Sequence, residues 1–228
     1  MQKIISKFFI LLFVLYSSCE NKTSRDKEGL IVYQENQISW VRNFEPLNPV
    51  SIPRWPTRGG IYESLYLNNP ITTDWVPWLA TNYKWENNNK KLLFTIRPNV
   101  QWSDGKPFSA HDVAYTLNLW NQYPALDTRN AWEYLKSVVA VSDTLVQIDF
   151  KRIYVPGFEA IAGAPIIPKH IWKELKDPLD FSNPNPVGTG PFTEILRFNS
   201  QVWELGKNHN YWQKGKPKIN KLRFPAFL

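Results

Sequence analysis

The chain has 228 residues, and its 27 Lys plus Arg against 20 Asp plus Glu give a formal net charge of +7. The basic residues are dispersed, with no run of five or more, which argues against a nucleic-acid groove or a polybasic membrane patch. With 11 Trp, 10 Tyr and 13 Phe, either the core is built on aromatic rings or a surface needs flat, amphipathic contact area.

Residues 1–18 carry the pattern of an export signal. Lys3 and Lys7 are followed by an apolar stretch from Phe8 to Tyr16 and then by Ser17 and Ser18. That stretch is too short to span a bilayer as a helix. Cys19, the only cysteine, comes next. The arrangement is similar to the lipobox of bacterial lipoproteins, although Tyr16 stands where leucine is usual, and it implies lipidation at Cys19. The alternative is an ordinary signal peptide with an incidental cysteine. Residues 19–28 are polar and read as the lipid-anchored tether. With no second cysteine, an intrachain disulfide is excluded.

From there, residues 30–33 suit a short buried strand, and residues 40–49 form an irregular, aromatic loop interrupted by Pro46 and Pro49. Residues 61–67 show helical spacing, with Ile61 and Leu65 on one side and Tyr62 and Tyr66 beside them. Residues 83–85 and 92–97 read as a hairpin turned at Asn87, Asn88 and Asn89, with Leu92, Phe94 and Ile96 on one face. Ser103-Asp104-Gly105 is a turn. Ser109 is a helix N-cap with Asp112 three residues on, and the helix carries Val113, Leu117 and Trp120 on one stripe before Pro124 stops it. Asn130 is placed to cap a short helix reaching Lys136. A second hairpin, 138–141 and 145–150, turns at Ser142-Asp143, and strands follow at 192–197, 201–205 and 219–224. Between them Pro186-Val187-Gly188-Thr189-Gly190-Pro191 forms a rigid turn, unable to sit inside a helix or a central strand. The order of strands and helices predicts an α+β or mixed α/β fold.

The residues for catalysis are not arranged for it. His111, His170 and His209 are far apart, no His-Glu-x-x-His or Cys-x-x-Cys spacing occurs, and no Gly-x-Ser-x-Gly elbow or phosphate-cradling loop is present. The expectation is a protein that is not an enzyme and uses no metal or cofactor.

Several ordered stretches carry a resemblance. Tyr62-Glu63-Ser64-Leu65 and Trp102-Ser103-Asp104-Gly105-Lys106-Pro107-Phe108 come first, the latter continuing to Asp112-Val113. Pro168-Lys169-His170, the Gly188-Thr189-Gly190-Pro191-Phe192 turn, Asn208-His209-Asn210-Tyr211-Trp212 and Gly215-Lys216-Pro217 follow. Together they resemble the family 5 extracytoplasmic solute-binding proteins, the oligopeptide- and dipeptide-binding components of ABC transporters. The resemblance implies the N-terminal lobe of a two-lobed periplasmic-binding-protein fold of the class with an extra subdomain. Residues 29–228 would be that N-terminal portion, truncated before the second lobe.

It further implies a substrate-binding protein of an ABC importer, periplasmic or extracytoplasmic and lipid-anchored, that hands oligopeptides to permease subunits. The alternatives are an oligosaccharide ligand, favoured by tryptophan platforms, or an exported lipoprotein that has lost transport by truncation. The family's ligand contacts carry over to Trp40, Val41, Arg42 and Asn43 on the loop after the first strand, and to Trp132 after the capped helix. No nucleic-acid partner is expected.

Overall fold

The structure is a computed structural model that describes residues 29–33, 41–51 and 53–225. The export signal, the tether with Cys19, and Trp40 lie outside the described residues.

Among the described residues, ten strands form two four-stranded sheets and a two-stranded ribbon. In the first sheet, β1 (Gly29–Ile31) runs parallel to β10 (Lys221–Pro225). The antiparallel strands β9 (Val202–Lys207) and β8 (Phe192–Phe198) complete it, in the order β1-β10-β9-β8. The second sheet is a fully antiparallel set in the order β4-β5-β7-β6. Its strands are β4 (Ala80–Glu86), β5 (Lys91–Ile96), β7 (Leu145–Phe150) and β6 (Leu135–Ser142). The ribbon pairs β2 (Tyr66–Asn68) with β3 (Trp75–Pro77). The chain therefore enters the first sheet, builds the whole second sheet, and returns to finish the first.

Period-two patterning makes the second sheet. Leu92, Phe94 and Ile96 of β5 are all buried, as are Val146, Ile148 and Phe150 of β7, and Leu92 faces Ile148 across the ladder. The turn between β4 and β5 puts Asn87, Asn88 and Asn89 all at positive φ, a conformation asparagine tolerates better than most residues. Helix α1 (Ala110–Gln122) lies against β6 and β7, and its Val113, Leu117 and Trp120 are buried. Ser109 caps it by a complete capping box. The Ser109 hydroxyl accepts from the His111 amide at 3.2 Å, and Asp112 accepts from the Ser109 amide at 3.0 Å. Such a cap stabilises a helix by about 1 kcal/mol. The aromatic residues serve mainly the core. Trp102, Trp172 and Trp203 are buried, and Trp203 stacks on Phe224 with ring centroids 3.9 Å apart.

Three expectations need correction. Residues 61–67 are not a helix: one irregular turn at Thr57–Ile61 is followed by extended chain and β2. Their apolar side chains are buried on more than one side, and their carbonyls bond outward to Trp78, Ala80, Ile166 and Gly190, which mimics helical spacing without helical bonding. Asn130 caps nothing, since it sits in the left-handed region and α2 (Ala131–Tyr134) is capped instead by Asp127, whose carboxylate accepts from the Ala131 and Trp132 amides at 2.8 Å each. The helix ends at Tyr134 because β6 begins at Leu135. The first strand is not buried. As an edge strand it leaves Leu30 and Ile31 half-exposed.

Candidate functional site

The stretches that carried the resemblance meet in space. Gly188-Thr189-Gly190 lies flat on the backbone of Gly60 and Ile61. A Cβ on Gly188 would stand 2.0 Å from the Ile61 carbonyl oxygen, and one on Gly190 would stand 2.3 Å from that of Gly60. The Gly190 amide donates to Ile61 O at 2.9 Å, and the Ser103 amide donates to Gly188 O at 2.9 Å. The Asn208 side-chain amide donates to Gly190 O at 3.0 Å.

Beside this clasp Glu63 is 1% exposed. Its Oε1 accepts from Trp78 Nε1 at 2.7 Å and from the Tyr211 hydroxyl at 3.0 Å, and its Oε2 accepts from Trp212 Nε1 at 3.0 Å. Trp78 and Trp212 meet edge to face, and the Arg97 guanidinium lies 4.5 Å above the Trp212 ring while donating to Trp78 O at 2.6 Å. Burial holds the Glu63 carboxyl above the usual carboxylate range, against the pull of its Trp212, Trp78 and Tyr211 donors. Glu63 lines none of the hollows described below, so the cluster acts as a joint that fixes the chain's turns.

A groove lies where the loop after β1 meets the end of α1 and the segment between β7 and β8. One hollow of about 230 Å³ is lined by Pro46, Leu47 and Arg58 on one side and by Trp120, Asp127, Thr128 and Arg129 on the other, with Ala160 and Ala164 beyond. An adjoining hollow of about 260 Å³ shares Arg58, Arg129, Gly163 and Pro165 and adds Trp75 and Tyr66. Arg58 is held by a 2.7 Å bond from its Nε to Pro46 O, and Arg129 by a 2.9 Å bond from its Nη1 to Glu159 O. Neither forms an ion pair among the described residues. The Asp127 oxygens are taken by the α2 amides, and the buried Glu45 carboxylate nearby is taken by the Leu47 and Asn48 amides. Two guanidiniums thus line one groove with no close ion pair, although Arg58 still feels the charge of Glu45 and Asp127 lines the same groove, and their remaining N–H groups could serve an anion.

Of the residues the resemblance pointed to, Val41 is 58% exposed. Arg42 donates from Nε to Pro184 O at 2.6 Å and from Nη2 to Asn185 Oδ1 at 2.7 Å. The Asn43 amide donates to Ser51 Oγ at 2.6 Å, while its Oδ1 accepts from the Glu45 amide. Trp132 donates from its indole to Leu117 O at 2.7 Å. None of these four residues lines either hollow of the groove. Arg58 and Arg129, which line it, did not stand out in the sequence. Each is a lone basic residue in a turn-forming stretch, Arg58 before two glycines and Arg129 before the left-handed Asn130. No group of three or more metal-ligating side chains occurs among the described residues, and none of their helices is long and apolar enough to cross a membrane.

The fold has solved counterparts. The mannohexaose-bound periplasmic oligopeptide-binding protein of Thermotoga maritima superposes with a TM-score of 0.78 at 27% identity, over 88% of this chain and 38% of that one. The fold is thus that of the N-terminal part of a periplasmic binding protein. The nickel-binding periplasmic protein of Escherichia coli is 30% identical over 83% of this chain and 37% of its own length. The periplasmic oligopeptide-binding protein of Salmonella typhimurium is 22% identical over 87% and 39%. The family "Bacterial extracellular solute-binding proteins, family 5 Middle" matches residues 74–227. The chain belongs to the family 5 bacterial extracellular solute-binding proteins of ABC transporters, and it spans 37% of the length of the first of these relatives.

Proposed function

We propose that this chain is part of a solute-binding protein of an ABC importer, capturing oligopeptides outside the cytoplasmic membrane and delivering them to the permease. The observation that carries the choice of ligand is the pair of guanidiniums, Arg58 and Arg129, that line one groove with neither held in a close ion pair among the described residues. A peptide's terminal carboxylate matches the planar fork of a guanidinium, whereas a neutral sugar gains little from two cations. Val41, with Trp40 before it, would meet the ligand directly, while Arg42, Asn43 and Trp132 hold the walls in place through the bonds given above. Trp75 and Trp120 in the same groove support an oligosaccharide as the second reading, since apolar sugar faces stack on rings.

Calorimetry on the purified chain with trialanine and with maltohexaose separates the two. Arg129→Ala is expected to weaken trialanine about 10- to 100-fold, the worth of one hydrogen bond to a charged group. Trialanine affinity unchanged in both Arg58→Ala and Arg129→Ala would falsify the peptide reading, and binding of the sugar alone would replace it.

Residues 1–18 would direct export, and Cys19 would carry the lipid that holds the protein at the membrane through the 19–28 tether. This rests on Cys19 standing directly after the small residues that end the apolar stretch. Radiolabelled palmitate is expected to enter the wild-type protein in cells and to be absent from Cys19→Ser. Equal labelling of the two would remove the anchor.

A further inference from the structure

A third hollow opens beyond Arg129, away from Arg58. It has a volume of about 220 Å³, an apolar floor of Leu135, Phe150 and Ile161, and a wall formed by Tyr134 and Tyr154. The two tyrosine rings stack with centroids 3.7 Å apart and planes 12° from parallel, and the Arg152 guanidinium caps the stack 4.8 Å from the Tyr134 centroid. Stacking and capping hold both rings in one orientation, so the wall is preorganised. Leu135, Phe150 and Ile161 are buried and belong to β6, β7 and α3 (Gly157–Ala162), which makes the floor rigid as well. Arg129 lines this hollow and both hollows of the groove, so an anion held by Arg129 would have the tyrosine-walled hollow next to it.

We infer that this hollow is a side-chain subsite that takes an aromatic residue lying next to the ligand's carboxylate. The inference rests on the peptide reading of the groove. Three features favour this occupant. A dry cavity of ~150 Å³ lined by apolar side chains accepts a benzene ring, so the volume here has room for a phenyl or phenol group. The floor is apolar, which disfavours a charged side chain in its depth, and the lining's carboxylate, Glu159, opposes an acidic one. The charged residues of its lining are Arg129 and Glu159, with Arg152 outside on the tyrosine stack, and of these Arg129 is the one that also lines the groove, which suits a carboxylate held there one residue's reach from the ring, as in a C-terminal phenylalanine.

N-acetyl-L-phenylalanine and N-acetyl-L-alanine carry the same carboxylate and differ only in the ring, so they are the probes. The phenylalanine derivative is expected to bind about tenfold more tightly, the return from burying a ring in an apolar site. Tyr154→Ala should bring the ratio close to one, Tyr154→Phe should keep it, and Arg129→Ala should weaken both probes alike. Because Tyr154→Ala also removes a packed ring from the fold, ring-proton NMR of the wild-type chain gives a second measure. The Tyr134 and Tyr154 resonances should shift with the phenylalanine derivative and stay in place with the alanine one. A ratio unaffected by Tyr154→Ala, or tyrosine resonances that move equally with both probes, overturns the subsite while leaving the groove intact. Loss of neither probe in Arg129→Ala overturns the peptide reading itself.

Discussion

Gly188→Ala is expected to destabilise the chain by about 3 kcal/mol or more, at the upper end of overpacking losses, because the added methyl meets main chain and not a side chain that can turn away. Its Cβ would fall 2.0 Å from the Ile61 oxygen and 2.7 Å from the Ile61 carbonyl carbon. Relief requires moving the Gly188 segment off residues 60–61, and that breaks the Ser103-to-Gly188 and Gly190-to-Ile61 hydrogen bonds together. At roughly 2–4 °C per kcal/mol for a domain of this size, the melting temperature should fall by about 6–12 °C. Gly59→Ala is the control. Gly59 has a φ of +83° but nothing within 4 Å of its Cβ position, so only the left-handed conformation is penalised, by about 1–2 kcal/mol. Circular-dichroism melting of the two variants checks the argument, and equal losses would remove the close approach as the reason for the glycine.

Glu63→Leu should be the most damaging change of a single polar side chain. It leaves Trp78 Nε1, Trp212 Nε1 and the Tyr211 hydroxyl without their acceptor, at about 1–3 kcal/mol for each buried group left unpaired. Glu63→Gln is milder. Its oxygen can serve Trp78 and Tyr211, but its amide then faces the Trp212 donor.

The two forms also predict a pH dependence. Burial raises the folded-state pKa of Glu63 above its unfolded value near ~4.3, so the protonated form is the better tolerated one in the fold. The corresponding stability is fully present below the unfolded pKa and is lost as pH rises through the folded pKa. Acidification from neutral pH should therefore favour the wild type relative to Glu63→Gln, which cannot titrate. Urea midpoints of both proteins across the acid range measure the gap. A gap that widens against the wild type on acidification would show that the donors, not burial, dominate this carboxyl.

How much of this was legible in the sequence follows the range of the interactions. Ser109 and Asp112 are three residues apart, and their capping box closes within one helical turn, so it could be read directly. The hairpin of β4 and β5 was equally local, with alternating Leu92, Phe94 and Ile96 and a turn of asparagines that accept positive φ. The glycine turn at 188–190 was readable as a turn, but not the reason for its glycines, since the backbone it touches lies at residues 60–61.

The tertiary structure alone decided the rest. The burial of Glu63 was not legible in the sequence because its three donors sit 15, 148 and 149 residues away along the chain. Residues 61–67 spaced their apolar side chains like a helix, yet long-range partners claimed their carbonyls and held them extended. The groove needs residues 46–47, 58, 126–129 and 160–165 to converge, and only that convergence brings Arg58 and Arg129 to one surface. Local hydrogen bonds and periodicity depend on near neighbours that the chain order displays. Burial, close backbone approach and the sharing of one groove depend on neighbours that only folding supplies.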